Sequence, residues 1–166
     1  MEKKIFLALV FAFFANISYS QNFTIENVVG RGNYFKGFIT KTSTEDTRWT
    51  VKMLNVTENG DSYNVSYQVY HVDESPYEEI PNDTTQHTFS GEFKKLTNKD
   101  GSGYTLKYSE YDGQLNYSII ISKSKYFDDY TIMIHYQLIS SDLVSRGYCV
   151  SFRLTAEEFE KLQASK

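Results

Sequence analysis

The sequence predicts an all-β fold: an antiparallel meander of about eight or nine strands that closes into a barrel, followed by one short C-terminal helix. Apolar residues alternate with polar ones over many short segments, and turn residues separate these segments. The spacing becomes helical only at the end of the chain. Because the connections are short, a barrel is favoured over the alternative, a two-layer sandwich, which usually needs longer crossing connections.

The first segment, residues 1–20, has the pattern of a secretory signal peptide. Lys3 and Lys4 form a basic head, residues 5–15 are an unbroken apolar run, and small residues precede Gln21. This run of eleven residues is too short for a membrane-spanning helix, which takes about 20 residues. We therefore expect cleavage after Ser20, export to the periplasm or the medium, and no transmembrane segment in the remaining chain.

The remaining residues, 21–166, have the length of a single domain and contain no linker that would divide it. Cys149 is the only cysteine, so an apolar core must stabilise the domain without a disulfide. Loss of Glu2, Lys3 and Lys4 with the signal would change the formal charge from −4 to −5. A mildly acidic chain without a run of Lys and Arg is not expected to bind nucleic acid or an anionic membrane surface.

The first half of the domain begins with two strands, residues 23–29 and 34–41, separated by a glycine-containing turn over residues 30–33. In the next strand, Trp49, Val51 and Met53 are expected on one face and Leu54 and Val56 on the other.

The pair Asn59 and Gly60 then predicts a type I′ hairpin turn, because both residues tolerate the positive φ angles that this turn requires. Its partner strand covers residues 63–71. Residues 73–86 contain both prolines and several acidic residues, so they are interpreted as the one long loop.

The second half contains two further strands, over residues 89–96 and 104–108, and then three runs in which every second residue is apolar. The apolar positions of these runs are Leu115, Tyr117, Ile119 and Ile121; Tyr130, Ile132, Ile134, Tyr136 and Leu138; and Tyr148, Val150, Phe152 and Leu154. The short polar connection between the last two runs predicts a hairpin.

Residues 155–164 are predicted to form the C-terminal helix. Thr155 and Glu158 match a capping box, and Phe159 and Leu162 share one side. Because so short a helix is marginal by itself, we expect it to cover an outer apolar patch on the last three strands. That patch would consist of Ile120, Met133, Ile139 and Cys149, with Cys149 as a buried structural thiol.

No motif in the chain indicates a reaction. The three histidines, His71, His87 and His135, have none of the usual zinc-ligand spacings. No glycine-rich loop precedes a helix, so the usual cradle for nucleotide phosphates is missing. We therefore expect neither an enzyme nor a bound cofactor or metal.

The aromatic content is the feature that points to a function. Aromatic residues make up 16% of the chain and include fourteen tyrosines, many on predicted inner faces. An interior of this kind is either a packed core or the wall of a ligand cavity. The candidate ligand-binding residues are Tyr63, Tyr67, Tyr117 and Tyr136, with the loop over residues 73–86 near the mouth of the cavity.

An export signal, a strand meander and a short helix after the last strand together form a layout similar to that of the lipocalins. The similarity is architectural, because the glycine-x-tryptophan signature near the first strand is absent: Trp49 follows Thr47 and Arg48 and lies on the third predicted strand. Two functional hypotheses follow. The barrel holds a small, largely apolar ligand, or it has a solid core and acts through its surface as an exported interaction or structural module.

Overall fold

The computed structural model describes residues 22–37, 47–72, 84–97, 102–140 and 144–164. These residues form a closed barrel of eight antiparallel strands with one C-terminal helix, so the predicted fold class is confirmed, in its barrel form. The predicted signal peptide and most of the predicted long loop lie outside the described residues.

The strands follow one another around the barrel in chain order, and β1 closes it by pairing with β8. Their bounds are β1 Phe23–Gly37, β2 Thr47–Asn59, β3 Ser62–Val72, β4 Thr84–Thr97, β5 Gly103–Glu110, β6 Leu115–Lys123, β7 Asp129–Ile139 and β8 Ser145–Thr155. A single 3-10 turn, Tyr111–Gly113, lies between β5 and β6, and helix α1, Ala156–Ala164, follows β8 directly.

Strand β1 is one long strand where the sequence predicted two. The turn predicted over residues 30–33 does not form, because β1 pairs with β2 in its first part and with β8 in its second part. A Cβ atom on Gly32 would lie 3.0 Å from Nε1 of Trp49 and would overlap the carbonyl oxygen of Cys149. Glycine at this position therefore permits the close approach of β8 that closes the barrel, and eight strands form instead of nine.

Strand β2 carries a β-bulge. Its register with β3 shifts between Val51 and Met53, which leaves Lys52 as the extra residue. The Lys52 ammonium donates a 2.8 Å hydrogen bond to Oδ1 of Asn27, a residue of β1 with a φ of 56°. Because a bulge shifts the alternation of side chains by one position, the predicted split into two faces is wrong. The apolar residues on both sides of the bulge are buried in the core: Trp49, Val51, Leu54 and Val56.

The hairpin between β2 and β3 forms as predicted, but its turn is placed one residue later. The central residues are Gly60 and Asp61, since β2 ends at Asn59 and β3 begins at Ser62. Of this central pair only Gly60 has a positive φ, 61°. Glycine first, with a negative φ after it, is the pattern of a type II′ turn rather than type I′.

Helix α1 has the predicted capping box. The backbone N–H of Glu158 donates to Oγ1 of Thr155 at 3.2 Å, and the backbone N–H of Thr155 donates to the Glu158 carboxylate at 2.8 Å. The backbone N–H and the hydroxyl of Thr155 both donate to the Glu158 carboxylate, and these two bonds lower the pKa of Glu158 because they favour its ionised form. Among the described residues, no helix has the length and apolar character needed to cross a membrane.

The predicted docking place of α1 is wrong. Phe159 is buried in the main core, with its ring centroid 5.4 Å from that of Phe23 and 4.6 Å from that of Tyr130. Both partners are inward-facing residues at one end of the barrel, so α1 closes that end instead of covering an outer patch. Burial of the Phe159 ring against these apolar rings stabilises the docked helix. Cys149 is consequently half-buried on the outer side of β8, not a buried thiol.

Candidate functional site

The two ends of the barrel differ. One end is closed by α1, as described above. We call the opposite end the mouth: there β1 ends at Gly37 and β2 begins at Thr47, and β3 ends at Val72 and β4 begins at Thr84. The two longest connections of the barrel therefore begin and end at the mouth.

Five tyrosines form a continuous row just inside the mouth, which we call the tyrosine belt. Each occupies the register position directly opposite the next, on five adjacent strands. In order around the wall they are Tyr108, Tyr117, Tyr136, Tyr148 and Tyr34. The successive ring centroids are 6.0, 4.9, 5.3 and 6.4 Å apart, which is the usual range for aromatic contacts. The belt is thus a continuous aromatic wall.

The rows below and above the belt have a different chemistry. Two residues deeper along the same strands lies an aliphatic row in which every side chain is fully buried: Leu106, Ile119, Ile134 and Val150. Two residues towards the mouth lies the rim row: Glu110, Leu115, Leu138, Arg146 and Lys36. The site therefore has an apolar floor, an aromatic wall and a rim that carries charged residues.

The wall near β1 and β2 completes the aromatic lining. The Trp49 ring is fully buried, 5.0 Å from Tyr34, 4.9 Å from His71 and 5.9 Å from His87 between centroids. The Tyr34 hydroxyl and Nε2 of His87 share a 2.7 Å hydrogen bond. Burial and the neighbouring His71 lower the pKa of His87, so its imidazole is neutral at pH 7.

Two buried hydroxyl groups link the belt to β3. The hydroxyls of Tyr67 and Tyr148 lie 2.8 Å apart and hydrogen-bond to each other. Burial is the largest cause that raises the pKa of both phenols. The hydrogen bond itself lowers the pKa of Tyr148 and raises that of Tyr67, but burial outweighs it at Tyr148. Both hydroxyls therefore stay protonated and act as neutral hydrogen-bonding groups.

Solvent reaches the belt. Tyr108, Tyr117 and Tyr136 point inward by register and yet are only half-buried, and Tyr34 is 37% exposed. The floor directly below them is fully buried. We call these partly exposed, inward-facing rings above the buried floor the aromatic cup, and a flat apolar molecule could stack on them.

The cup also has an opening in its side wall. Strands β4 and β5 pair only where residues 94–97 face residues 104–107, so residues 84–93 of β4 have no strand partner on that side among the described residues. Phe89 projects from this part of β4 and stacks on Tyr117 with a centroid distance of 3.8 Å. Phe89 therefore covers the gap from the inside, next to the belt.

The described residues contain no group of three or more His, Cys, Asp and Glu side chains close enough to hold a metal ion. His71 and His87 contact the same Trp49 ring at the mouth. His135 lies apart from them on the outside of the barrel, stacked on Phe35 at 5.6 Å, and burial lowers its pKa.

The structure brings together three of the four tyrosines that the sequence proposed as ligand-binding residues. Tyr117 and Tyr136 belong to the belt, and Tyr67 bonds to it through Tyr148. Tyr63 lies four residues away on β3, roughly 13 Å along the strand, at the helix end. There Nζ of Lys95 lies 6.0 Å from the Tyr63 ring centroid.

Several residues of the site were not predicted from the sequence. They are Tyr34, Tyr108, Tyr148, Trp49 and His87. The registers of the β5–β6 and β7–β8 hairpins would have aligned Tyr108 with Tyr117 and Tyr148 with Tyr136, because turn position sets register. No local signal places Tyr34 beside Tyr148, since that contact depends on barrel closure.

No family model, curated protein or solved structure matches the chain. Barrels of this general architecture serve unrelated functions in different proteins. The proposed function therefore rests on the residues at the mouth and not on a relative or on the fold.

Proposed function

We propose that the protein is an exported, non-enzymatic barrel that binds a small, largely apolar ligand on the tyrosine belt. The observation that carries the proposal is the solvent exposure of inward-facing rings. Tyr108, Tyr117 and Tyr136 are only half-buried, although each faces the barrel interior by register. Export rests on the signal-like segment at residues 1–20.

The belt suits a ligand with a flat ring system. Its rings already pack against one another at 4.9 to 6.4 Å between centroids, so an additional ring would continue the same offset or edge-on arrangement. Each aromatic contact of this kind is worth about 0.5–1.5 kcal/mol beyond the burial of area. Protonated tyrosine hydroxyls would supply hydrogen bonds that orient the ligand.

The hydrogen-bonding groups at the site are uncharged. Burial raises the pKa of Tyr67 and Tyr148 and lowers that of His87. At pH 7 these side chains are all uncharged. Neutral phenols and imidazoles orient a ligand by hydrogen bonding without introducing a charge into the aromatic wall.

The test uses Trp49, the only tryptophan of the chain, which is buried beside the belt. The gently purified protein is first examined by native mass spectrometry for a co-purifying small molecule. Flat apolar probes are then titrated while the emission of Trp49 is followed. We expect saturable quenching that Tyr117→Ala weakens and that Tyr126→Ala, a matched change at an 89% exposed tyrosine, leaves unchanged. Absence of quenching by every probe, together with a bare mass, would refute the proposal.

A second candidate function, an exported interaction module, is favoured by one surface feature. Tyr126 and Phe127 are 89% and 68% exposed at the tip of the β6–β7 hairpin. Their backbone N–H groups both donate to Oγ of Ser124, at 3.3 and 3.1 Å, which orders the tip. Exposed aromatic side chains are frequent anchors at protein interfaces. A bare mass and a pulled-down protein that the double variant Tyr126→Ser, Phe127→Ser no longer captures would favour this function over ligand binding.

A further inference from the structure

The hydrogen bond between Tyr67 and Tyr148 uses only one of the two hydroxyl hydrogens in this pair. Each phenol carries one O–H hydrogen, and a single bond of 2.8 Å joins the two oxygens. The side chains are 2% and 4% exposed, and no other described residue forms a hydrogen bond with either hydroxyl. Because a buried donor without an acceptor is unfavourable, the pair favours a bound molecule that supplies an acceptor.

The pair lies beside the partly exposed rings of the belt. Tyr148 is itself a belt residue, with its ring centroid 5.3 Å from that of Tyr136. After burial, which is the largest cause, Tyr117 and Tyr136 also contribute to the raised pKa of both Tyr67 and Tyr148. Electrostatic effects of this kind decrease with distance, so the four hydroxyl groups lie close together. A ring system that stacks on Tyr117 and Tyr136 therefore has an edge next to the pair.

The direction of the hydrogen bond decides which hydrogen a ligand meets. Either hydroxyl can be the donor. When Tyr67 donates, the hydrogen of Tyr148 remains, and Tyr148 is the member of the pair that belongs to the belt. Donation by Tyr67 also polarises the Tyr148 hydroxyl and strengthens the bond that it makes in turn. An acceptor bound at the belt therefore selects this direction.

We propose that the ligand of the tyrosine belt is a flat molecule with a ring carbonyl, an aromatic ketone or a quinone, whose rings stack on the belt and whose carbonyl oxygen accepts the remaining hydrogen of Tyr148. This inference rests on the proposed ligand-binding function and specifies its ligand class. A carbonyl oxygen accepts a hydrogen bond and brings no hydrogen of its own, so it matches a site with one unused donor. A hydrocarbon of the same shape leaves that donor buried and unpaired.

The experiment compares 9-fluorenone with fluorene, two flat molecules of the same shape in which a carbonyl group replaces a methylene group. Binding of each to the intact protein is measured by equilibrium dialysis. The variants are Tyr148→Phe, Tyr67→Phe and, as the matched control, Tyr104→Phe. Tyr104→Phe also removes a buried hydroxyl, but Tyr104 lies four residues from the belt residue Tyr108 on β5, roughly 13 Å towards the helix end.

The quantity compared is the dissociation constant of fluorene divided by that of fluorenone, because this ratio cancels any effect of a variant on the shape of the aromatic cup. The ratio should be about tenfold smaller in Tyr148→Phe than in the wild-type protein, the usual effect of one hydrogen bond. Tyr67→Phe should lower it less, since Tyr148 keeps its hydroxyl and loses only the donor that polarises it. Tyr104→Phe should leave it unchanged.

A second measurement reports the hydrogen bond directly. A hydrogen bond to the carbonyl oxygen weakens the C=O bond, so the infrared carbonyl stretch of bound fluorenone should lie at a lower frequency in the wild-type protein than in Tyr148→Phe. A change in the packing of the cup alone would not produce this shift.

Three outcomes overturn the inference. The same ratio in the wild-type protein and in Tyr148→Phe, with both probes weakened by Tyr117→Ala, would leave the belt as a ligand site and remove the carbonyl contact. An equal fall of the ratio in Tyr104→Phe would show that the preference does not arise at Tyr148. Binding of neither probe would refute the ketone proposal, and combined with a bare mass in native mass spectrometry it would refute ligand binding itself.

Discussion

The hydroxyl groups of Tyr67 and Tyr148 lie 2.8 Å apart in the barrel interior and join β3 to β8 by a side-chain hydrogen bond. These strands are not neighbours in the sheet, so the bond spans the barrel. Both side chains are almost completely buried, at 2% and 4% exposure. A buried hydroxyl without a partner is costly, and each of these two supplies the other's partner.

The first prediction concerns this bond. Tyr67→Phe leaves the Tyr148 hydroxyl buried without this partner and should destabilise the protein by about 1–3 kcal/mol. The double variant Tyr67→Phe, Tyr148→Phe removes both polar groups, so its loss in free energy of unfolding should be smaller than the sum of the two single losses. Urea denaturation of the four proteins measures this coupling. Strictly additive losses would show that the bond contributes nothing.

The second prediction concerns alkaline pH. Burial raises the pKa of Tyr67, Tyr104 and Tyr148 above the ordinary value of 10.0. Because the folded state holds these protons more tightly than the unfolded state, the stabilisation is complete below pH 10 and is lost as the pH rises above it. We expect the phenolate absorbance of these three residues to appear together with the loss of the β-sheet circular dichroism signal. Their ionisation in a protein that keeps its sheet signal would contradict this.

The third prediction concerns the closure of the barrel by α1. Phe159 is 2% exposed and contacts Phe23 and Tyr130. Phe159→Ala should destabilise the protein by about 3–5 kcal/mol, because it opens a cavity at the end of the core. Glu160→Ala, at the next and exposed position of the helix, is the matched control and should change stability by less than about 0.5 kcal/mol. Equal thermal midpoints for the two variants would mean that α1 does not close the barrel.

The fourth prediction concerns the gap between β4 and β5. On the side facing β5, only residues 94–97 of β4 are paired, whereas β3 pairs with β4 from Ser62 opposite Lys94 to Val72 opposite Thr84. In hydrogen exchange, the amides of residues 84–93 that point away from β3 should exchange faster than those that point towards it. A bound ligand that stacks beside Phe89 should slow them. Uniform protection along β4 would show that the gap is closed in solution.

The hairpins and the helix were predictable because their signals are local. Alternation along β6, β7 and β8 identified the inward-facing residues, and Thr155 with Glu158 identified the start of α1 to within one residue. The structural roles of Gly32 and Lys52 could not be predicted from the sequence. In the sequence Gly32 looks like a turn residue, and only the close approach of β8 in the structure shows why glycine is needed there. Lys52 is the extra residue of the β2 bulge, and the alternation of apolar and polar residues does not reveal where a bulge lies.

By itself, the sequence determined that the chain forms antiparallel β-structure with a helical end and that many tyrosines face inward, because both properties follow from the spacing of apolar residues along the chain. Only the tertiary structure decided which tyrosines meet. The belt depends on the registers of four strand pairs, and its last member, Tyr34, joins through the pairing of the first strand with the last. Contacts between residues so distant in the chain are set by barrel closure and packing, which no local pattern encodes.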